Sequence, residues 1–224
     1  MADRTYLVTG GGSGIGKGVV AALVNAGARA MIIGRNPDWL HAAVSEIKRG
    51  AGDMGAVRHE PADVTNEEGT ARAVEAATAW SGRLDGVVHR AGGSETIGPI
   101  TQIDSDAWRC TVDLNVNGTM YVLKHSAREL VRGGGGSFVA ISSIAASNTH
   151  RWFGAYGPTK SAIDHLVKLA AENVAPVSAA LCKRRQRALP KPPIRRLRMN
   201  TLRARPLRQI HTTTLQTNTH FRSL

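Results

Sequence analysis

The apolar run TYLVT at 5–9 passes directly into TGGGSGIGKG at 9–18, and this junction constrains the chain more than any other stretch. Glycines 10, 14 and 16 leave no side chain between the backbone and whatever approaches the turn. The amphipathic stretch that follows aims the unpaired N–H groups of its first turn at the same place, which makes the junction an anion cradle. A pyrophosphate is its natural guest. The spacing is GxxxGxG rather than the GxGxxG of the commonest dinucleotide turn.

Beyond that junction, apolar runs alternate with longer amphipathic ones, the pattern of a parallel sheet covered on both faces. Strands are expected at 5–9, 28–34, 55–60, 84–89 and 136–142, with helices at 14–26, 38–49, 66–80, 105–132 and 155–174. The fold class is therefore α/β, a Rossmann-like doubly wound parallel sheet. In the last helix Ile163, Leu166, Val167, Ala170 and Val174 recur at helical spacing and mark a core-facing stripe.

Charge divides the chain in two. Residues 1–171 carry 17 Lys and Arg against 16 Asp and Glu, whereas residues 172–224 carry 12 against 1. The net +12 thus belongs to the tail and gives the first part no nucleic-acid character. Cys110 and Cys182 have neither zinc-ligand nor disulfide-scaffold spacing, so no metal is expected and a reducing compartment is. No apolar run approaches the roughly 18 residues a membrane span needs. A cytoplasmic protein with no membrane association is expected.

Two further features bear on chemistry. Arg35 ends the second strand where an acidic residue would hydrogen-bond a ribose 2′-hydroxyl; a guanidinium suits a 2′-phosphate instead, and so NADP. In GAYGPTKSA at 154–162, Tyr156 and Lys160 stand one helical turn apart with Pro158 between them. Proline is tolerated only in a helix's first turn, so Tyr156 must lie at the N-terminus of its helix.

With TGGGSGIG at 9–16, ADV at 62–64, LNVNGT at 114–119, ISS at 141–143 and YGPTK at 156–160 in this order, the chain resembles the short-chain dehydrogenase/reductase family over residues 1 to about 171. The resemblance implies that Gly10, Ser13, Gly14, Ile15 and Gly16 form the pyrophosphate turn. It places Asp63 and Val64 beside the adenine, and Ala91 and Gly92 beside the cofactor ribose. Asn115, Ser143, Tyr156 and Lys160 match the catalytic tetrad, Tyr156 and Lys160 also meeting the cofactor; Ser143 is chosen over Ser142 because its distance to Tyr156 fits the family. The implied activity is hydride transfer between NADP(H) and a small carbonyl or alcohol substrate, in an enzyme that forms homo-oligomers through helices 105–132 and 155–174. His89 reads as a strand-end packing residue rather than a base, Trp108, Trp152 and Phe153 as core, interface or pocket lining, and Glu95 and Thr96 as loop residues near the substrate.

Three departures stand out. HRAGG at 89–93 puts Arg90 where the family usually has asparagine, Pro158 is unusual, and the chain beyond about 172 lacks the expected Pro-Gly turn and closing strands. The domain is accordingly expected to end near 174, with 175–224 a basic tail of low order and the fifth strand left as an exposed edge. A frameshift or truncation, a basic arm for an acidic surface, and a diverged folded segment all account for the tail. Under the first, the chain is a family remnant that binds cofactor at most.

Overall fold

Among the described residues six parallel strands carry the fold: β1 (Thr5–Thr9), β2 (Arg29–Gly34), β3 (Val57–Pro61), β4 (Gly86–His89), β5 (Gly136–Ala140) and β6 (Ala179–Lys183), in the spatial order β3-β2-β1-β4-β5-β6. The computed structural model describes residues 2–51, 57–96, 98–174 and 179–183. Between the strands run α1 (Gly14–Asn25), α2 (Pro37–Ala51), α3 (Glu67–Ser81), α4 (Ser105–Val112), α5 (Gly118–Arg132) and α6 (Tyr156–Val174). All five strands and the other helices expected from the sequence are present, their bounds shifted by one or two residues. Continuous apolar strands such as Leu7-Val8 and Ile32-Ile33, fully buried, follow from helices covering both faces of a parallel sheet.

The two faces pack separately. Val8, Ile32 and Val57 meet Val20 and Val24 of α1 and Leu40, Ala43, Val44 and Ile47 of α2. On the other face Leu7, Met31, Ile33, Val87 and Phe138 meet Val74, Val122, Leu130, Ile163 and Val167 of α3, α5 and α6. Local signals set the helix ends: the Asn66 side chain accepts from Gly69 N at 2.7 Å to start α3, which ends at Gly82 in left-handed conformation, φ 80°.

Two features depart from the expectations. The single helix expected over 105–132 is broken by a π turn, Asp113–Asn117, that holds Asn115 fully buried. And β5 does not end the sheet: β6 pairs with it in parallel, Gly136 opposite Ala179 through Ala140 opposite Lys183. The backbone of β6 lies beyond the boundary placed at 174; its sequence, AALCK, is a short run of four apolar residues that ends on Lys183 at the start of the basic stretch, too brief to show a strand period. Among the described residues there is no seventh strand; the rest of the tail expected over 175–224, residues 175–178 and 184–224, lies outside them.

Candidate active site

The order of the strands reverses between β1 and β4, and the C-terminal ends of these two strands open a crevice of the kind in which doubly wound folds bind ligands. The glycine turn leaves β1 on one side. Gly10 and Gly14 adopt φ of 63° and 49°, left-handed values that a side chain resists. At Gly16 a Cβ would stand 2.1 Å from the Gly10 carbonyl oxygen, so helix and turn approach as closely as only glycine permits. Ser13 precedes α1 in extended backbone and its hydroxyl makes no capping bond, which leaves first-turn N–H groups directed into the crevice. Ile15 is 60% exposed there. A glycine turn with no side chains of its own at Gly10, Gly14 and Gly16, lined by N–H groups, fits a cofactor's pyrophosphate.

The β4 side is fastened by a buried polar chain centred on His89. Thr9 Oγ1 accepts from the N–H groups of Arg90 at 3.0 Å and Ala91 at 2.8 Å, and Thr119 Oγ1 donates to the Asn115 carbonyl. His89 lies between the two hydroxyls, Nδ1 3.0 Å from Thr9 Oγ1 and Nε2 3.0 Å from Thr119 Oγ1. Since Thr119 has spent its proton on a carbonyl, Nε2 must donate to it and Nδ1 must accept from Thr9; the ring is the neutral Nε2–H tautomer. Burial, reinforced by the Lys160 charge, pulls the His89 pKa down to about 3. His89 is a tie between two strand ends and the π turn, in agreement with the packing role read from the sequence.

The four residues matched to a catalytic tetrad come from three places. Asn115, held in the π turn, donates from Nδ2 to the Gly93 carbonyl at 2.8 Å and to Thr159 Oγ1 at 2.9 Å, and accepts at Oδ1 from Gly93 N at 3.0 Å. Ser143 follows β5 and caps a short 3₁₀ turn, Ile144–Ala146, accepting from Ala145 N at 3.2 Å. That bond uses a lone pair and leaves the hydroxyl proton free to donate. The neighbouring Ser142 hydroxyl is buried without a partner among the described residues. Tyr156 opens α6, Pro158 occupying its first turn as expected. Lys160 points the same way one turn on, its Nζ 5.7 Å from the Tyr156 ring centre and donating to the Ile141 carbonyl at 3.0 Å.

Lys160 is only 5% exposed, and its pKa falls to about 8, chiefly through burial and then through the Arg90 charge, with Asp164 pulling the other way. Gly92 lies between the two groups: a Cβ there would be 2.9 Å from Asn115 Oδ1 and 3.2 Å from Lys160 Nζ. The turn after β4 and the start of α6 therefore converge on one spot.

The remaining candidates fall into place around this centre. Arg35 is exposed just beyond β2, and Asp63 accepts from Thr65 N and Thr65 Oγ1, both at 2.9 Å, in the turn after β3. Val64 is buried against Gly118, where a Cβ would meet its Cγ2 at 2.9 Å. Thr96 proves to be a brace, its Oγ1 accepting from Ala155 N at 3.0 Å, while Glu95 is exposed and Trp108 half-buried. Trp152 and Phe153, 51% and 46% exposed, line a cavity of about 430 Å³ with Ile100, Ala145, His150 and Pro158. None of the four tetrad matches borders that cavity. Sequence reasoning missed Thr9, Thr119, Thr159 and the Ile141 carbonyl; hydroxyls and backbone oxygens of this sort announce themselves only once their partners are placed.

Comparison with known proteins agrees with this geometry. A family model described as short chain dehydrogenase matches residues 4–181. A short-chain type dehydrogenase/reductase from Mycobacterium ulcerans superposes with a TM-score of 0.78 at 72% identity, covering 80% of this chain and 65% of that one. NAD+-bound xylitol dehydrogenase superposes with a TM-score of 0.76 at 28% identity, covering 80% and 67%. 3beta-hydroxysteroid dehydrogenase 2 of Eggerthella lenta is 30% identical over 172 residues, 76% of this chain and 65% of that protein. The chain thus spans just under two thirds of the length of the last and of the Mycobacterium ulcerans protein.

Proposed function

The chain belongs to the short-chain dehydrogenase family, and on that footing we propose that it is an NADP-dependent oxidoreductase acting on a small carbonyl or alcohol. The observation that carries this reading is the buried Lys160 Nζ, placed between the Tyr156 ring and the glycine loop at Gly92. Bound on the Gly10–Gly16 turn, the nicotinamide cofactor would supply or accept the hydride. The chain's part is to hold the substrate oxygen and move its proton.

In the reducing direction negative charge develops on that oxygen, and the Tyr156 hydroxyl is the proton donor. A tyrosine titrates near 10 in water, too high for ready exchange at neutral pH. Lys160, with a pKa of about 8, is still charged at pH 7 and stabilises the phenolate left behind. Ser143 donates a second hydrogen bond to the oxygen, its proton being free of the capping bond. Asn115 fixes the loop at Gly93 and the helix at Thr159, so that the donor and the cofactor bed keep their relative positions. Cofactor choice rests on Arg35: at the end of β2 it pairs with a 2′-phosphate and offers no acceptor to a 2′-hydroxyl. We take the working form to be a homo-oligomer joined through α5 and α6, which expose Met120 and Leu169.

The test is turnover of NADPH and NADH by the full chain over a panel of ketones, sugars and steroids. NADPH-dependent reduction that drops by at least about 100-fold in Tyr156→Phe supports the reading. Turnover retained in that variant, or a preference for NADH, overturns the assignment of Tyr156 or Arg35 respectively. The second reading is a family remnant that binds cofactor without turnover. A melting temperature raised by NADPH with no substrate turned over would select it.

A further inference from the structure

Arg90 lies against the glycine turn. A Cβ added at Gly10 would be 3.1 Å from Arg90 Cδ and 3.4 Å from Nη1, and one added at Gly14 would be 3.7 Å from Nη2. The guanidinium therefore spans the crevice from β4 to both left-handed glycines. The residue's backbone is fixed by its N–H bond to Thr9 Oγ1, and the side chain is half-buried. Among the described residues its guanidinium has no hydrogen-bond or ion-pair partner, and its charge is felt at Lys160. A partly desolvated guanidinium is held at a cost unless an anion meets it. Here the unpaired N–H groups of α1 and the Lys160 ammonium add potential of the same sign, and no carboxylate pairs with it. What the cluster lacks is a polyanion.

We propose that Arg90 is a phosphate-binding residue of the cofactor site, its guanidinium pairing with the pyrophosphate of a nicotinamide dinucleotide bound on the Gly10–Gly16 turn. This rests on the cofactor reading above and adds a residue to it. The pyrophosphate, rather than the 2′-phosphate, is the target because of the sheet order. Arg35 follows β2 and Arg90 follows β4, on opposite sides of β1, and the two glycines that Arg90 faces belong to the turn between them. A planar fork of donors suits two phosphate oxygens at once, which an asparagine in the same place would not match.

The test measures dissociation constants of NADPH, NADH and ADP-ribose for the full wild-type chain and for Arg90→Asn, at low and moderate salt. ADP-ribose keeps the pyrophosphate and dispenses with both the nicotinamide and the 2′-phosphate. The expected result is a loss of roughly 10- to 100-fold for all three ligands alike, with a flatter salt dependence in the variant. Should Arg90→Asn fail to fold, as judged by its melt, Arg90→Gln replaces it with a side chain of closer length. Unchanged or tighter binding would mean that Arg90 obstructs the crevice, and a loss confined to NADPH would make it a 2′-phosphate reader; either overturns the proposal. If the wild-type chain binds neither cofactor, the cofactor reading itself fails, and this is visible before any variant is made.

Discussion

Lys160 is held against its own solvation, so its replacement by methionine should abolish turnover without destabilising the fold. Its pKa drops from 10.5 to about 8, and at about 1.36 kcal/mol per unit the buried charge costs the folded state on the order of 3 kcal/mol. Below pH 8 the folded and unfolded chains both carry that proton and the whole cost applies. From pH 8 to 10.5 the folded chain sheds it while the unfolded chain retains it, so wild-type stability climbs by up to about 1.4 kcal/mol per pH unit. Lys160→Met escapes the cost but forfeits the bond to the Ile141 carbonyl, a charge-assisted bond worth about 1.5–3 kcal/mol. The net at pH 7 is a variant as stable as wild type or more so, by about 0–2 kcal/mol. Urea unfolding of both full chains at pH 7, 8, 9 and 10 checks this, because groups common to the two cancel in the difference. The wild type should gain on the variant by roughly 2–3 kcal/mol across the series. A difference that stays flat with pH would show that Lys160 is not desolvated in the way the structure implies.

Two glycines in α1 should respond oppositely to alanine. Gly16→Ala drives a Cβ to 2.1 Å from the Gly10 carbonyl and should lower the melting temperature and remove its rise with NADPH, whereas Gly18→Ala, with nothing within 4 Å, should stabilise by about 0.5–1 kcal/mol. Asn115→Ala strips partners from Gly93 N, Gly93 O and Thr159 in a fully buried position and should cost roughly 3–5 kcal/mol by urea titration. A loss under 1 kcal/mol would mean that water replaces the amide. His89, whose pKa is pushed to about 3 by burial, stays neutral in the fold while the unfolded chain takes up a proton below about 6.5. Stability present above pH 6.5 should therefore fall by up to about 1.4 kcal/mol per unit as the pH drops toward 3, and His89→Gln should lack this component of the acid slope.

Much of the site was legible before the fold was known, and what was legible shares a property. The glycines of the first turn, the Tyr156–Lys160 spacing and the position of Pro158 are local constraints, acting over one turn of backbone, and local spacing is what a sequence displays. Arg90 could be seen as a departure, but its reach to Gly10 and Gly14 depends on β4 lying beside β1, which brings together residues about 80 positions apart. The His89 chain is hidden for the same reason: Thr9, His89 and Thr119 come from three elements and meet only at the crevice. The π turn is invisible because one extra residue in a helical turn changes the apolar period too little to be read through the run from 105 to 132.

The sequence alone determined the doubly wound class, the alternation of elements and the place of the glycine turn, since hydrophobic periodicity and backbone freedom are properties of neighbouring residues. Only the tertiary structure decided that β6 covers the edge of β5, that Thr96 is a brace, and that Lys160 loses its solvent and much of its basicity. Strand pairing, hydrogen-bond partners and desolvation are set by which distant segments share a space, and no short stretch of the chain carries that information.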